Sequence, residues 1–227
     1  MSNALKLRST FGLFYLAWAF VLHADGPKPE EKNRIENPGF ESSSAGWKLF
    51  VAPRVDSGLN HQPAFEIVDD KKHGGNASAR LTSDTGERYA IRAEGSALEV
   101  TPKQRFRISA WVCFGENAYM PQGLPGAYVR LTLSQADGKD IKDPLLHIHI
   151  CANGKVARST AINKGLCNIY TVPKGWQKLE GVVEIPSGTK KVMPELYVHG
   201  AVGSINWDDI EMVEVSNSTP LSQMVSE

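Results

Sequence analysis

The chain has 227 residues, with 25 Lys and Arg balanced by 25 Asp and Glu, 41% hydrophobic residues, 20 Gly and 13 Pro. That is enough chain to bury a real core, and the even charge excludes a general nucleic-acid or anionic-membrane binder, which depends on dense positive charge. Three Cys, none in Cys-x-x-Cys spacing, exclude a disulfide scaffold and a zinc-ribbon or redox motif.

Met1 to Arg8 carries Lys6 and Arg8 and no acid, Phe11 to Leu22 is apolar, and a polar, Pro-containing stretch follows. This is the pattern of a secretory signal peptide over residues 1–24. Twelve apolar residues rise only about 18 Å as a helix, short of a ~30 Å hydrocarbon core, which favours cleavage over an uncleaved anchor. Residues 25–34 then read as a linker, 35–215 as one domain and 216–227 as a flexible tail. The expected location is secreted, periplasmic or at the cell surface, where disulfides persist. Cys151 and Cys167 bracket a loop-like stretch, and a bridge closing it adds about 3 kcal/mol in the chain-entropy model. Cys113 is left over.

Beyond residue 33 no window sustains helical apolar spacing. Short alternating runs recur instead, at Ala79–Leu81, Tyr89–Ala93, Phe106–Phe114, Ala127–Ser134, Leu145–Ile150, Gln177–Ile185, Val192–His199 and Ile205–Val215. Turn sequences rich in Gly, Pro, Asn and Asp separate them. The predicted class is all-β, an antiparallel sandwich or barrel.

Side chains alternate faces along a strand. Phe106, Ile108, Ala110, Val112 and Phe114 form a core set, opposed by Arg107, Ser109, Trp111 and Cys113. Val129, Leu131 and Leu133 are opposed by Tyr128, Arg130, Thr132 and Ser134; Leu146, Ile148 and Ile150 by His147, His149 and Cys151; Leu196 and Val198 by Glu195, Tyr197 and His199. Aromatic planes beside planar donors suit a sugar, which is apolar on its C–H faces and hydroxylated at its rim. Covering one ring face, about 100 Å², stabilises by about 2.5 kcal/mol. The expected carbohydrate-binding set is therefore Trp111, Tyr128, Arg130, His147, His149, Tyr197 and His199. A loop covering Trp111, or plain cross-strand packing of Tyr128 and Tyr197, is the competing structural account. His147, His149 and Cys151 also spell a metal-like His-x-His-x-Cys, with no fourth ligand spaced to complete it.

Nucleophile-elbow, His-Glu-x-x-His and phosphate-loop patterns are absent. Asp69-Asp70 and Asp208-Asp209 are adjacent pairs that point to opposite faces when extended, unlike the facing carboxylates of a glycosidase. The enzyme alternative is a lyase using Tyr and His as base and acid. An adhesion sandwich without a glycan site is the third reading.

Asn37-Pro38-Gly39-Phe40-Glu41 with Gly46-Trp47, Gly74-Gly75-Asn76-Ala77-Ser78-Ala79-Arg80-Leu81, Phe106-Arg107-Ile108-Ser109-Ala110-Trp111-Val112, Gly175-Trp176-Gln177-Lys178-Leu179 and Trp207-Asp208-Asp209-Ile210 occur in that order. Together they resemble the carbohydrate-binding modules of the CenC type. The resemblance implies a jelly roll that binds a polysaccharide or oligosaccharide on a concave sheet face without catalysis, and a structural calcium with Glu41 and Asp208 as ligands. It also implies that Trp47 and Trp176 are packing residues. Asp208 shares its predicted strand face with Ile210 and Met212, so a carboxylate there needs a partner. The expected partners are a glycan and a separate glycoside hydrolase, with no nucleic acid and no membrane once the signal is cleaved, and the expected state is a monomer.

Overall fold

The computed structural model describes residues 32–52, 63–86, 88–94, 97–120, 126–135, 147–151, 154–158 and 175–225. The expected signal peptide, most of the linker, Cys167 and the last two residues of the tail lie outside the described residues. Within them the chain forms β1 (Lys48–Val51), β2 (Ala64–Val68), β3 (Ser78–Ser83), β4 (Arg88–Arg92), β5 (Leu98–Glu99), β6 (Arg105–Phe114), β7 (Gly126–Ser134), β8 (Ile148–Ile150), β9 (Val156–Arg158), β10 (Gln177–Glu184), β11 (Lys191–His199), β12 (Gly203–Val215) and β13 (Met224–Val225). No α-helix occurs among the described residues.

The strands make two sheets. The larger runs β1-β4-β11-β7-β8-β9-β13, with β5 also on β11, and the smaller runs β10-β6-β12-β3-β2. Every pairing is antiparallel except β13 on β9. The fold is an antiparallel β-sandwich, as the alternating runs predict, and of the jelly-roll type that the resemblance implies.

Period-two alternation explains the packing. Phe106, Ile108, Ala110, Val112, Leu179, Ile205 and Trp207 of the smaller sheet share one buried cluster with Ile91, Val129, Leu131, Leu133, Ile148, Leu196 and Val198 of the larger. Each fully buried aliphatic or aromatic chain contributes about 1.5–3 kcal/mol. A second buried cluster lies on the outside of the larger sheet: Ala90, Tyr128, Cys151, Ala157 and Tyr197, with Phe50 and Val225 against it. The larger sheet therefore buries side chains on its outer face as well, while Arg88, Arg92 and Arg130 on that face remain exposed or partly exposed.

Three details differ from expectation. The tail packs: β13 pairs with β9, Val225 joins the outer cluster, and Ser222 Oγ accepts the Val182 N–H at 2.9 Å. The linker's end packs as well, since Asn33 bridges to Val213 and its side chain binds both the Ile210 carbonyl and the Met212 amide. The third is a β-bulge in β12, where the register on β6 shifts between Asp208 and Glu211 and Asp209 takes φ of 46°. Trp207 points into the core, Asp208 points out beside Trp111, and the inserted residue returns Ile210 and Met212 to the core. Asp208 therefore does not share the face of Ile210 and Met212.

Candidate functional site

The seven residues expected on one face occupy two. Trp111 stands on β6 in the smaller sheet, while Tyr128 and Arg130 on β7, His149 on β8, and Tyr197 and His199 on β11 stand on the outer face of the larger sheet. His147 immediately precedes β8. The outer faces of a sandwich point away from each other, so no single ligand site joins Trp111 to the rest.

Registers on the larger sheet set the remaining residues in rows. Arg92 of β4, Glu195 of β11, Arg130 of β7, His149 of β8 and Ala157 of β9 are successive cross-strand partners. The next row holds Phe50, Ala90, Tyr197 and Tyr128. Glu195 is 0% exposed and lies between the two guanidiniums. Its Oε1 is 2.6 Å from Arg92 Nε, close enough for an ion pair but off the line of a hydrogen bond. Its Oε2 accepts from Arg130 Nε and, at 3.1 Å, from Thr132 Oγ1. Burial is the largest single influence on the Arg130 pKa and lowers it, but attraction and hydrogen bonding to Glu195, together with the Tyr197 and Tyr128 phenols, raise it on balance.

Rings lie beneath the guanidiniums. Arg92 Cζ is 3.3 Å above the centroid of Phe50, and Arg130 Cζ is 4.1 Å above that of Tyr197. Tyr197 stacks on Tyr128 at 5.2 Å and 17°, and Tyr128 meets His149 edge-on at 5.0 Å. Tyr128 and Tyr197 are each 3% exposed, and His149 is 2% exposed. These rings are therefore packed against each other rather than laid open as sugar platforms. Burial, ahead of neighbouring charges, pushes both phenols up and holds the His149 imidazole down at about 3. What this face offers outward is guanidinium: the side chains of Arg92 and Arg130 are 23% and 19% exposed, and Arg88, across from His199, is exposed.

On the smaller sheet Trp111 is half-buried, and His73 covers one face of its indole at 3.8 Å and 17°. His73 Nδ1 lies 2.7 Å from Asp209 Oδ2, and Trp176 meets the same imidazole edge-on at 5.7 Å. A cavity of about 220 Å³ beside the indole is lined by Ser109, Lys178, Asp209 and Glu211. Nothing local in the sequence marks His73, which reaches Trp111 from the loop before β3. Arg92, by contrast, follows from alternation in Arg88-Tyr89-Ala90-Ile91-Arg92.

The motifs near the chain start form a clasp. Asn37 Nδ2 donates to the Ser43 and Ala45 carbonyls, Trp47 Nε1 donates to the Asn37 carbonyl, and Phe40 packs against Trp47 at 5.3 Å. Trp176 Nε1 donates to the Lys72 carbonyl. Glu41 Oε1 accepts the Asn76 and Ala77 amides, and the Asn76 amide is the first cause of its lowered pKa. Asp208 accepts the amides of His73, Gly74 and Asp209, although burial still raises its pKa. A Cβ at Gly39 would sit 3.7 Å from Asp208 Oδ1 and 3.9 Å from Glu41 Cγ. Among the described residues no three His, Cys, Asp or Glu side chains are grouped to hold a metal ion, His147, His149 and Cys151 included. Cys151 is disulfide-bonded and Cys113 is a buried free thiol.

No family model matches the sequence, and no curated protein does. Several solved structures align with this chain. The enzymatically active domain of tailspike protein 4 from bacteriophage CBA120 aligns at TM-score 0.53 and 12% identity over 81% of this chain, which spans 21% of that one. The C-terminal family 22 carbohydrate binding module of Clostridium thermocellum Xyn10B aligns at 0.49 and 13%, over 85% of this chain and 100% of that one. A family 16 carbohydrate binding module aligns at 0.47 and 14%, over 80% and 100%. Identities this low speak to the fold alone.

Proposed function

We propose that the protein is a non-catalytic carbohydrate-binding module whose glycan lies on the outer face of the larger sheet. The observation that carries this reading is the arrangement around Glu195. One buried carboxylate takes the Nε of both Arg92 and Arg130, and ring faces support both guanidiniums. Their Nη groups find no acceptor among the described residues. Planar donors held in place in this way lose little freedom when they meet hydroxyl or carboxylate oxygens. Hydrogen bonding from guanidinium forks replaces ring stacking as the mode of recognition, and Trp111 takes no part in it.

The lyase alternative asks a tyrosine to abstract a proton, and burial pushes Tyr128 and Tyr197 away from that role. Export, a monomeric state and action beside a separate glycoside hydrolase belong to the same proposal and rest on the sequence.

Affinity electrophoresis against a panel of soluble glycans tests the reading. Retardation is expected on at least one glycan. Arg130→Lys keeps the charge beside Glu195 but loses the fork, so retention should weaken about tenfold with little change in melting. Trp111→Ala should bind like the parent. Free migration on every glycan overturns the module, and retention lost only in Trp111→Ala moves the site to the other sheet.

Calcium is a separate proposal. Its carboxylate ligands would be Glu41 and Asp208, with Asp208 Oδ1 and Glu41 Oε2 each accepting a single N–H and so keeping lone pairs for a hard cation. The expected result is a melting temperature lowered by chelator and restored by added Ca²⁺. An unchanged melt leaves the backbone amides as the whole of the clasp.

A further inference from the structure

The charges on the outer face of the larger sheet are unequal. Taking every second residue, β1, β4, β7, β8 and β11 present Lys48, Arg88, Arg92, Arg130 and Lys191 outward against one carboxylate, Glu195. Lys48 is 3.6 Å from Glu94, and Lys191 pairs in register with Glu99 of β5. The surplus therefore sits with three arginines. Glu195 is shared between Arg92 and Arg130 and neutralises only one positive charge of that pair. Arg88 adds another, and among the described residues no carboxylate forms an ion pair with it. His199, across from Arg88, is held near 4 by burial and then by Arg88, so it stays neutral and neither adds to nor offsets the charge at ordinary pH.

A face built only for neutral sugar hydroxyls has no use for surplus charge, because amides and hydroxyls supply the same donors without repelling each other. We propose that the glycan on this face is anionic, a polysaccharide bearing carboxylates or sulfate esters, which Arg88, Arg92 and Arg130 neutralise. The inference rests on the proposed glycan-binding function and names its ligand class. The anionic groups occupy the free Nη positions of Arg92 and Arg130, where bidentate geometry is available, and Arg88 extends the positive strip along β4.

The test compares polygalacturonate, its methyl ester, a sulfated galactan and neutral xylan in affinity electrophoresis and titration calorimetry. The methyl ester removes the charge and keeps the sugar backbone. Polygalacturonate or the sulfated galactan should be retained at least tenfold more strongly than the methyl ester and xylan, and whichever is retained identifies the anion. Retention should fall steeply from 50 to 500 mM NaCl as charges are screened. Arg88→Gln, at an exposed position, should weaken binding several-fold with an unchanged melt. Equal retention of polygalacturonate and its methyl ester, or retention of xylan alone, overturns the anionic inference and leaves the glycan module standing. Retention of nothing removes the module itself.

Discussion

Glu195→Ala is expected to lower stability by about 3 kcal/mol, the lower end of the range for removing one member of a buried ion pair. The loss arises because Arg92 and Arg130 keep their charge and their positions when the carboxylate is gone. Partial exposure of both side chains lets water reach them, which keeps the effect from the upper end. At 2–4 °C per kcal/mol for a chain of this size, the melt should fall by roughly 6–12 °C. Glu195→Gln keeps the acceptor for Thr132 but not the charge, and should fall between parent and alanine. Replacing Arg92, Glu195 and Arg130 together with Met separates structure from function. Apolar replacement of a whole buried ion triad is often neutral or stabilising, so this variant should melt near the parent while losing the glycan. A triple variant that melts as low as Glu195→Ala would instead make the triad a structural necessity and weaken the case for a binding role.

The part of this site that alternation reveals is which side chains turn outward. It separates Tyr128 and Arg130 from Val129 and Leu131, and Glu195 and Tyr197 from Leu196 and Val198, as the two buried clusters do in space. It does not show which sheet an outward set belongs to. β6 and β7 follow each other in the chain yet lie in opposite sheets, and only non-local registers reveal that Trp111 neighbours Lys178 and Asp208 while Tyr128 neighbours Tyr197. The bulge at Asp208 and Asp209 escapes a period-two reading because an inserted residue reverses the alternation without changing residue types. Strands β1, β2 and β5 are short, and their half-polar sequences become strands by pairing with longer neighbours, while the equally short β9 is held between β8 and β13. Openness to solvent is a further property that composition cannot supply. Tyr128 and His149 are outward yet buried, because neighbouring planar groups cover one another.

That covered imidazole makes the protein acid-sensitive. His149 titrates at about 3 in the folded chain against 6.5 for the free group, chiefly through burial, with Arg130 next and His147 and Arg158 adding to it. Below 6.5 the unfolded chain takes up a proton that the folded chain refuses. Stability is therefore full above neutral pH and declines as pH falls through the window from 6.5 to about 3. At about 1.4 kcal/mol per pH unit, His149 alone removes about 2 kcal/mol between pH 7 and pH 5 and about 4 kcal/mol by pH 3. His199, held near 4, acts in the same direction. Two carboxylates with shifted pKa values act in opposite directions. Glu41, lowered by the Asn76 amide, loses its contribution only below 4.5, and Asp208, raised by burial, has the opposite sign and gains on acidification. Between pH 7 and pH 5 the histidines therefore lower stability, and any share of Asp208 opposes them. The expected melt is roughly 4–8 °C lower at pH 5 than at pH 7 from His149 alone. His149→Phe, which keeps an edge-on ring against Tyr128 and cannot titrate, should flatten the slope by about half and leave the share of His199. A parent protein that melts at the same temperature at pH 7 and pH 5 would mean that water reaches the imidazole, and with it the whole outer row from Arg92 to His149.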